Sequence, residues 1–288
     1  MSTLLSLGYG YSASALGRQL TAQGWRVIGT TRSRADALAA EGVEPLIWPG
    51  NDLAPALAAA THLLISVAPD GSDNGGGDPV LAQEAEAIRA AAPHLAWVGY
   101  LSTTGVYGDH QGGWVDEDTP LTPGTARGRA RVQAEAAWQA LAAETGLPLH
   151  IFRLAGIYGP GRGPFRKVRD GSAQRVIKPG QMFSRVHVED IGQVLAASIA
   201  QPNPGAIYNV CDNDPAPPED VLTYAAELLG VDLPPAVSWD EAEMTPMARS
   251  FYAESKRVRN DRMLRELGVT LRYPDYRAGL QALMKLPD

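Results

Sequence analysis

The first residues of the chain with ligand-binding character form the run Gly8-Tyr9-Gly10-Tyr11-Ser12-Ala13, which reads as G-x-G-x-x-A. Gly8 permits a tight turn, and Gly10 has no side chain to keep a pyrophosphate from the backbone. Open N–H groups at a following helix start would then meet the anion. Ala13 holds the third position, where only a small residue fits between helix and strand. Gly8, Gly10, Tyr11, Ser12 and Ala13 are therefore expected to grip a dinucleotide. A second group follows at Gly29-Thr30-Thr31-Arg32, with Arg34 close behind. An acidic residue at this place accepts a ribose 2′-hydroxyl, whereas a basic one accommodates a 2′-phosphate. Asp36 falls inside the next helix, so NADP(H) is expected over NAD(H), with Arg32 and Arg34 on the phosphate and Thr31 or Ser33 assisting. The other reading of the two arginines is a solvated surface.

These groups need a frame, and short apolar runs alternating with helical patterns supply one. Thr3–Leu7, Trp25–Thr31, Glu44–Trp48, His62–Ala68, Leu95–Leu101 and Pro148–Leu154 read as strands. Helices are expected over 14–23, over an alanine-rich stretch ending near Gly42, over 79–92 and over 125–144, the last closed by Gly146. Such alternation predicts a doubly wound parallel sheet covered on both faces. Ala68, at the end of the fourth strand, joins the expected cofactor contacts. Pro69–Pro79 holds Gly71, Gly75, Gly76 and Gly77 and reads either as a lid or as a surface loop. Beyond Gly156 proline becomes frequent, with helices near 218–229 and 260–267. The expected organisation is a dinucleotide-binding domain over 1–160, rejoined by 185–210, with a small substrate lobe from 161–184 and 211–288.

Composition narrows the functional classes. A formal net charge of −7 argues against a nucleic-acid partner, which needs a concentrated basic footprint. The single cysteine, Cys211, excludes an intrachain disulfide and a cysteine-based zinc site, and no metal is expected. No apolar run approaches the roughly 20 residues that span a bilayer, and no basic leader precedes the first strand. A cytoplasmic protein without a membrane partner is expected.

The run Ser102-Thr103-Thr104-Gly105-Val106-Tyr107-Gly108 resembles the S-T/S-x-x-V-Y-G stretch of the extended short-chain dehydrogenase/reductases, the NAD-dependent epimerase/dehydratase family. Arg153-Leu154-Ala155-Gly156-Ile157-Tyr158-Gly159-Pro160-Gly161-Arg162 is similar to its R-x-x-x-x-Y-G-P-G-R segment. Val186-His187-Val188-Glu189-Asp190-Ile191 and Tyr208-Asn209-Val210 resemble two further stretches, so the likeness spans nearly the whole chain. The resemblance implies a Rossmann domain for cofactor, a small lobe for substrate, often a nucleotide sugar, and a Tyr-x-x-x-Lys pair as acid/base. It also implies a strand hydroxyl, which by spacing is Thr103.

The pair itself is missing. Arg127 and Arg131 stand at the tyrosine and lysine positions, and arginine cannot transfer protons because its pKa stays above about 12. The chain is thus identified as an atypical member. Arg127 and Arg131, four apart on one helix face, read either as a solvated charge ladder with Glu135 or as a binding pair for an anionic group. Tyr107, Tyr158 and His187 are the alternative proton donors; for the tyrosines, packed aromatics with satisfied hydroxyls are the competing reading, and for His187 a structural hydrogen bond. Tyr252-Ala253-Glu254-Ser255-Lys256 has the right spacing on the wrong part of the chain and carries no weight as a motif. Phe183 stands where the family places a phosphate-gripping arginine; Arg185 lies two residues on.

Two functions follow. One is an NADP(H)-dependent oxidoreductase or epimerase on a small polar, possibly anionic substrate, with Thr103 and Tyr107 in the chemistry. Arg127, Arg131, Tyr158 and Arg162 would then bind the substrate. The other is a non-catalytic dinucleotide-binding sensor or regulator.

Overall fold

The computed structural model describes residues 2–71 and 77–286. The central sheet begins with β1 (Thr3–Leu7), β2 (Arg26–Thr31), β3 (Glu44–Ile47), β4 (His62–Ile65) and β5 (Trp97–Thr103). Two-residue β6 (Trp114–Val115) lies outside it, whereas β7 (Leu149–Leu154) rejoins it. Short β8 (Gly156–Tyr158), β9 (Arg175–Ile177) and β10 (Arg185–His187) follow, then β11 (Ile207–Val210), β12 (Ala236–Ser238) and β13 (Arg257–Val258). The seven parallel strands run β11-β7-β5-β4-β1-β2-β3, so the order reverses between β1 and β4. That reversal opens a crevice at the carboxyl ends of the strands, where such sheets bind ligands.

The sheet is buried because its strands are apolar on both sides: every residue of β1, β4 and β7 is buried. One face is covered by α1 (Tyr11–Ala22) and, later in the chain, Val188–Ala200, which bury Leu16, Leu20, Ile191, Val194 and Leu195 against Phe152 and Tyr208. The two helices approach closely at Gly192, where a Cβ would lie 2.9 Å from the Ala15 carbonyl. The other face is covered by α3 (Ala54–Ala59), α4 (Pro79–Ala91) and α5 (Ala126–Thr145), which bury Leu57, Ile88, Trp138 and Leu141. Short α2 (Ala35–Ala40) bridges β2 and β3. Thr125 caps α5 by accepting from the Gly128 N–H, and Gly146 ends it in the left-handed region at φ +73°.

Several boundaries differ from the sequence reading. Helix α1 starts three residues early, at Tyr11, because Gly10 is extended and serves as the N-cap. Strand β5 continues to Thr103, and β4 stops at Ile65. Residues 72–76, the middle of the loop read as lid or surface, lie outside the described residues.

The rest of the chain adds α6 (Phe165–Arg169), α7 (the Val188–Ala200 helix), α8 (Pro218–Leu229), α9 (Pro246–Tyr252), α10 (Asp261–Leu267) and α11 (Tyr276–Met284). A separate core joins Phe165, Val168, Ala225, Leu280 and Leu283 around Tyr158. Met263, Leu267, Val269 and Leu271, in the stretch expected to belong to the small lobe, pack into the core of the central sheet instead. Among the described residues no helix is long and apolar enough to cross a membrane.

Candidate functional site

At the end of β1, Gly8 turns the chain at φ +83°, and a Cβ there would come within 3.0 Å of the Val67 side chain. The Gly8 N–H donates to Thr30 Oγ1 at 2.7 Å, which ties the turn to β2. No side chain caps α1 and no acidic residue stands in its first turn. The N–H groups at its start are therefore open to an anion, and the dipole favours one. A Cβ at Gly10 would meet nothing nearer than the Gly8 carbonyl at 3.8 Å, so the space above the turn is open. Tyr9 points the other way: its ring is buried, and a Cβ on Gly17 or Gly29 would collide with it. Ser12 and Ala13 are buried beneath the turn. This cradle fits a pyrophosphate.

At the end of β2, Thr31 Oγ1 accepts from the Arg34 N–H at 3.1 Å and sets up the turn into α2. Arg32 is exposed and makes no hydrogen bond or ion pair among the described residues. Arg34 reaches back instead, donating to the Tyr9 carbonyl at 2.9 Å.

A cleft of about 800 Å³ opens at the carboxyl end of β5. Ala68, Thr103, Arg127 and Arg131 line it, together with Tyr158, Arg162 and Arg185. Thr103 Oγ1 accepts from the Gly105 N–H at 3.2 Å, which leaves its O–H to donate into the cleft. Gly128 seats the first turn of α5 on this loop, since a Cβ there would lie 2.9 Å from the Gly105 carbonyl.

Residues 82–211 match the profile of the NAD dependent epimerase/dehydratase family. Protein YeeZ of Escherichia coli K12 is 30% identical over 289 residues, covering 96% of this chain and 97% of its own. The chain belongs to the NAD-dependent epimerase/dehydratase family. Among solved structures, a functionally unknown conserved protein from Silicibacter pomeroyi DSS is 62% identical, with a TM-score of 0.91 over 99% of this chain and 98% of its own. UDP-glucuronic acid 4-epimerase from Bacillus cereus, in complex with UDP-glucuronic acid and NAD, superposes at TM-score 0.78 over 98% of both chains. At 15% identity that likeness is one of fold.

Against this family frame the arginines of α5 are put to other use. Arg131 donates to the Leu101 carbonyl at 2.6 Å and to the Tyr100 hydroxyl at 3.2 Å, so it is pinned to β5. Arg127 donates to Ser250 Oγ at 2.8 Å and lies 5.3 Å from the Phe251 ring, joining α5 to α9 across the cleft. The expected ladder from Arg131 to Glu135 is not formed. Glu135 faces inward and pairs with Arg153 of β7 at 2.8 Å, both side chains being 3% exposed. Ser102 donates to the same carboxylate at 2.5 Å.

That buried pair also corrects the expectation for Tyr107. Its side chain is fully buried, donates to Asn209 Oδ1 at 2.7 Å and accepts from Arg153 at 2.9 Å. Burial pushes its hydroxyl up to about 12, and it forms no part of the cleft wall. Tyr107 is a packed aromatic with a satisfied hydroxyl, not a proton donor to a ligand. Tyr158 lines the cleft, with its hydroxyl raised well above its ordinary value by burial and by Asp212. His187 caps α7, its Nδ1 accepting from the Glu189 N–H at 3.2 Å. Burial lowers this imidazole to about 4, so it is neutral. Arg162 stacks over Tyr11 at 4.4 Å, and the Tyr11 hydroxyl donates to the Pro160 carbonyl at 2.9 Å. The start of α1 is thereby joined to the cleft rim.

Three cleft residues escaped the sequence reading: Tyr252, Glu254 and Lys256. Their spacing was visible, but they were set aside because they lie off the expected helix. Tyr252 ends α9 and Lys256 precedes β13, so they share no helix. The fold nevertheless brings them to the cleft.

Proposed function

We propose that this protein is an NADP(H)-dependent oxidoreductase or epimerase of the cytoplasm, acting on a small, polar, anionic substrate. The observation that carries the reading is the charge of the cleft. Its walls hold five cationic side chains, Arg127, Arg131, Arg162, Arg185 and Lys256, against one carboxylate, Glu254, in a chain of formal net charge −7. A cleft of one sign within low-dielectric walls concentrates ligands of the other.

Gly8, Gly10, Tyr11, Ser12 and Ala13 would hold the pyrophosphate, and Thr31 with the exposed Arg32 the 2′-phosphate end. Ala68 would flank the nicotinamide half. That group, when bound, supplies or accepts a hydride. Thr103 donates its hydroxyl hydrogen to a substrate oxygen, while Tyr158, Arg162 and the two arginines of α5 set the substrate's position. Residues 1–160 with 185–210 serve the cofactor and much of the remainder serves the substrate. The sensor reading rests on one observation, the tethering of Arg131 to β5.

Calorimetry with NADP⁺ and NAD⁺ on the wild type and Arg32→Ala tests the cofactor assignment. Binding of NADP⁺ should be at least about tenfold tighter, and Arg32→Ala should remove the difference, as expected for a charge-assisted contact worth about 1.4 kcal/mol. Equal affinities in the wild type would overturn it. Reduced-nicotinamide absorbance followed over a panel of anionic and neutral aldehydes, ketones and sugar nucleotides tests the reaction. Tight cofactor binding with a silent panel would favour the sensor.

A further inference from the structure

Proton transfer at this cleft needs a side chain that can exchange a proton, and the usual sources are closed. Arginine side chains do not serve as proton donors. Tyr107 lies outside the cleft, and burial raises the hydroxyls of Tyr158 and Tyr252, which line it. Glu254 and Lys256 remain, on a segment held from several sides. Lys178 Nζ donates to the Tyr252 carbonyl, and Gln181 donates to the Glu254 carbonyl at 2.7 Å. The Ser255 N–H donates to Asp109 at 2.7 Å, and the Ser255 carbonyl accepts from His110 and Gly112, each at 3.0 Å. Such a grip fixes the side chains before any ligand arrives.

Lys256 Nζ donates to Glu254 Oε2 at 2.8 Å, with the two side chains 10% and 12% exposed. An ammonium has three donors; among the described residues Lys256 uses one, and it lines the cleft. Glu254 Oε1 is buried and has no hydrogen-bond partner among the described residues. A Cβ on Gly124 would lie 3.5 Å from that oxygen. The pair therefore sits at the start of α5, by the turn that carries Arg127.

We propose that Glu254 and Lys256 form the proton-transfer couple of this cleft, delivered by the C-terminal segment in place of the tyrosine and lysine that α5 lacks. The proposal rests on the reading of the cleft as a hydride-transfer site. Where a bound reduced dinucleotide would supply hydride to a substrate carbonyl carbon, the carbonyl oxygen would need a proton, and Lys256 is placed to give it. An N–H bond of Lys256 breaks, an O–H bond forms, and the amine regains its proton from water. Oxidation runs the same exchange backwards, and Glu254 holds the ammonium in place in both directions.

The chain has four lysines, Lys167, Lys178, Lys256 and Lys285, so site-specific labelling is readable. The probe is pyridoxal 5′-phosphate, an anionic aldehyde, trapped on the full chain with borohydride and located by peptide mapping across pH. One label at Lys256 is expected. Glu254→Gln should change the yield of label at Lys256, because the carboxylate that holds the ammonium in place at 2.8 Å is gone. Arg127 and Arg131 from α5, Arg162, Arg185 and the hydroxyls of Tyr158 and Tyr252 share the walls and are unchanged by that substitution. Lys256→Arg should bind NADP⁺ as the wild type does and lose at least about 100-fold in turnover of any panel substrate. Labelling of the other lysines with Lys256 untouched would overturn the proposal, as would turnover retained in Lys256→Arg. A wild type that binds no dinucleotide would sink the function reading, while the labelling still reports on the pair.

Discussion

The buried Glu135–Arg153 pair gives the sharpest test of how α5 is held against the sheet. Glu135 accepts from Arg153 through Nε at 3.2 Å and Nη2 at 2.8 Å, and from Ser102 at 2.5 Å. Glu135→Ala leaves a guanidinium buried at 3% exposure, with the Tyr107 hydroxyl and the Glu117 carbonyl as its remaining partners. Breaking such a pair from one side costs about 3–5 kcal/mol, because an uncompensated charge stays buried. That is a large share of the roughly 5–15 kcal/mol by which folded chains exceed unfolded ones. With a urea m-value of about 3 kcal/mol/M, the midpoint should fall by at least about 1 M. Replacing both residues, as in Glu135→Leu with Arg153→Met, should recover most of the loss, since no charge then stays buried. Urea unfolding of Glu135→Leu, Arg153→Met and the double closes the cycle. A midpoint shift below about 0.3 M in Glu135→Ala, or strictly additive losses in the double, would refute the assignment of the pair as a coupled unit.

Two further outcomes follow from buried groups near the cofactor loop and the cleft. The Tyr9 hydroxyl is buried without a partner among the described residues, so Tyr9→Phe should leave stability unchanged or raise it by up to about 1 kcal/mol; a clear drop in Tm would show that the hydroxyl is satisfied. His187 is held neutral, its pKa lowered to about 4 by burial. The unfolded chain therefore takes up a proton below about 6.5 that the folded one refuses until about 4, and this group's stability is lost as pH falls through that window. His187→Asn keeps a cap on α7 and should flatten stability between those limits, as read from urea midpoints at a series of pH values. An unchanged slope would mean that His187 is not the group responsible.

Local features were legible in the sequence. The phosphate turn is contiguous, and its meaning needs only a strand before Gly8 and a helix after Gly10. The alternation that predicted the sheet is likewise short-range. What escaped was set by partners far along the chain. The i,i+4 rule paired Glu135 with Arg131, but Glu135 lies on the helix face turned toward the sheet, where β7 presents Arg153. Tyr107 follows β5 and looked free to reach a ligand; Asn209, on the edge strand β11, takes its hydroxyl. Glu254 and Lys256 enter the cleft because Ser255 between them is bonded to Asp109, His110 and Gly112. No periodicity in 250–258 encodes those bonds.

The two departures from the family pattern are connected through α5. A lysine at 131 would have a flexible stem and a compact charge, free to follow a ligand; the planar fork of Arg131 instead binds a backbone carbonyl and a phenol of β5 at once. Arg127, one turn earlier, is joined to Ser250 and packs near Phe251. Phe251 and Tyr252 continue directly into the segment that carries Glu254 and Lys256. The arginine at the lost tyrosine's position therefore contacts the element that brings a different titratable pair to the same cleft. In the proposed chemistry, the helix that lacks the tyrosine and lysine and the segment that carries Glu254 and Lys256 meet at this one contact. In that proposal Arg127 is a positioning residue, acting on protons only through the wall it holds.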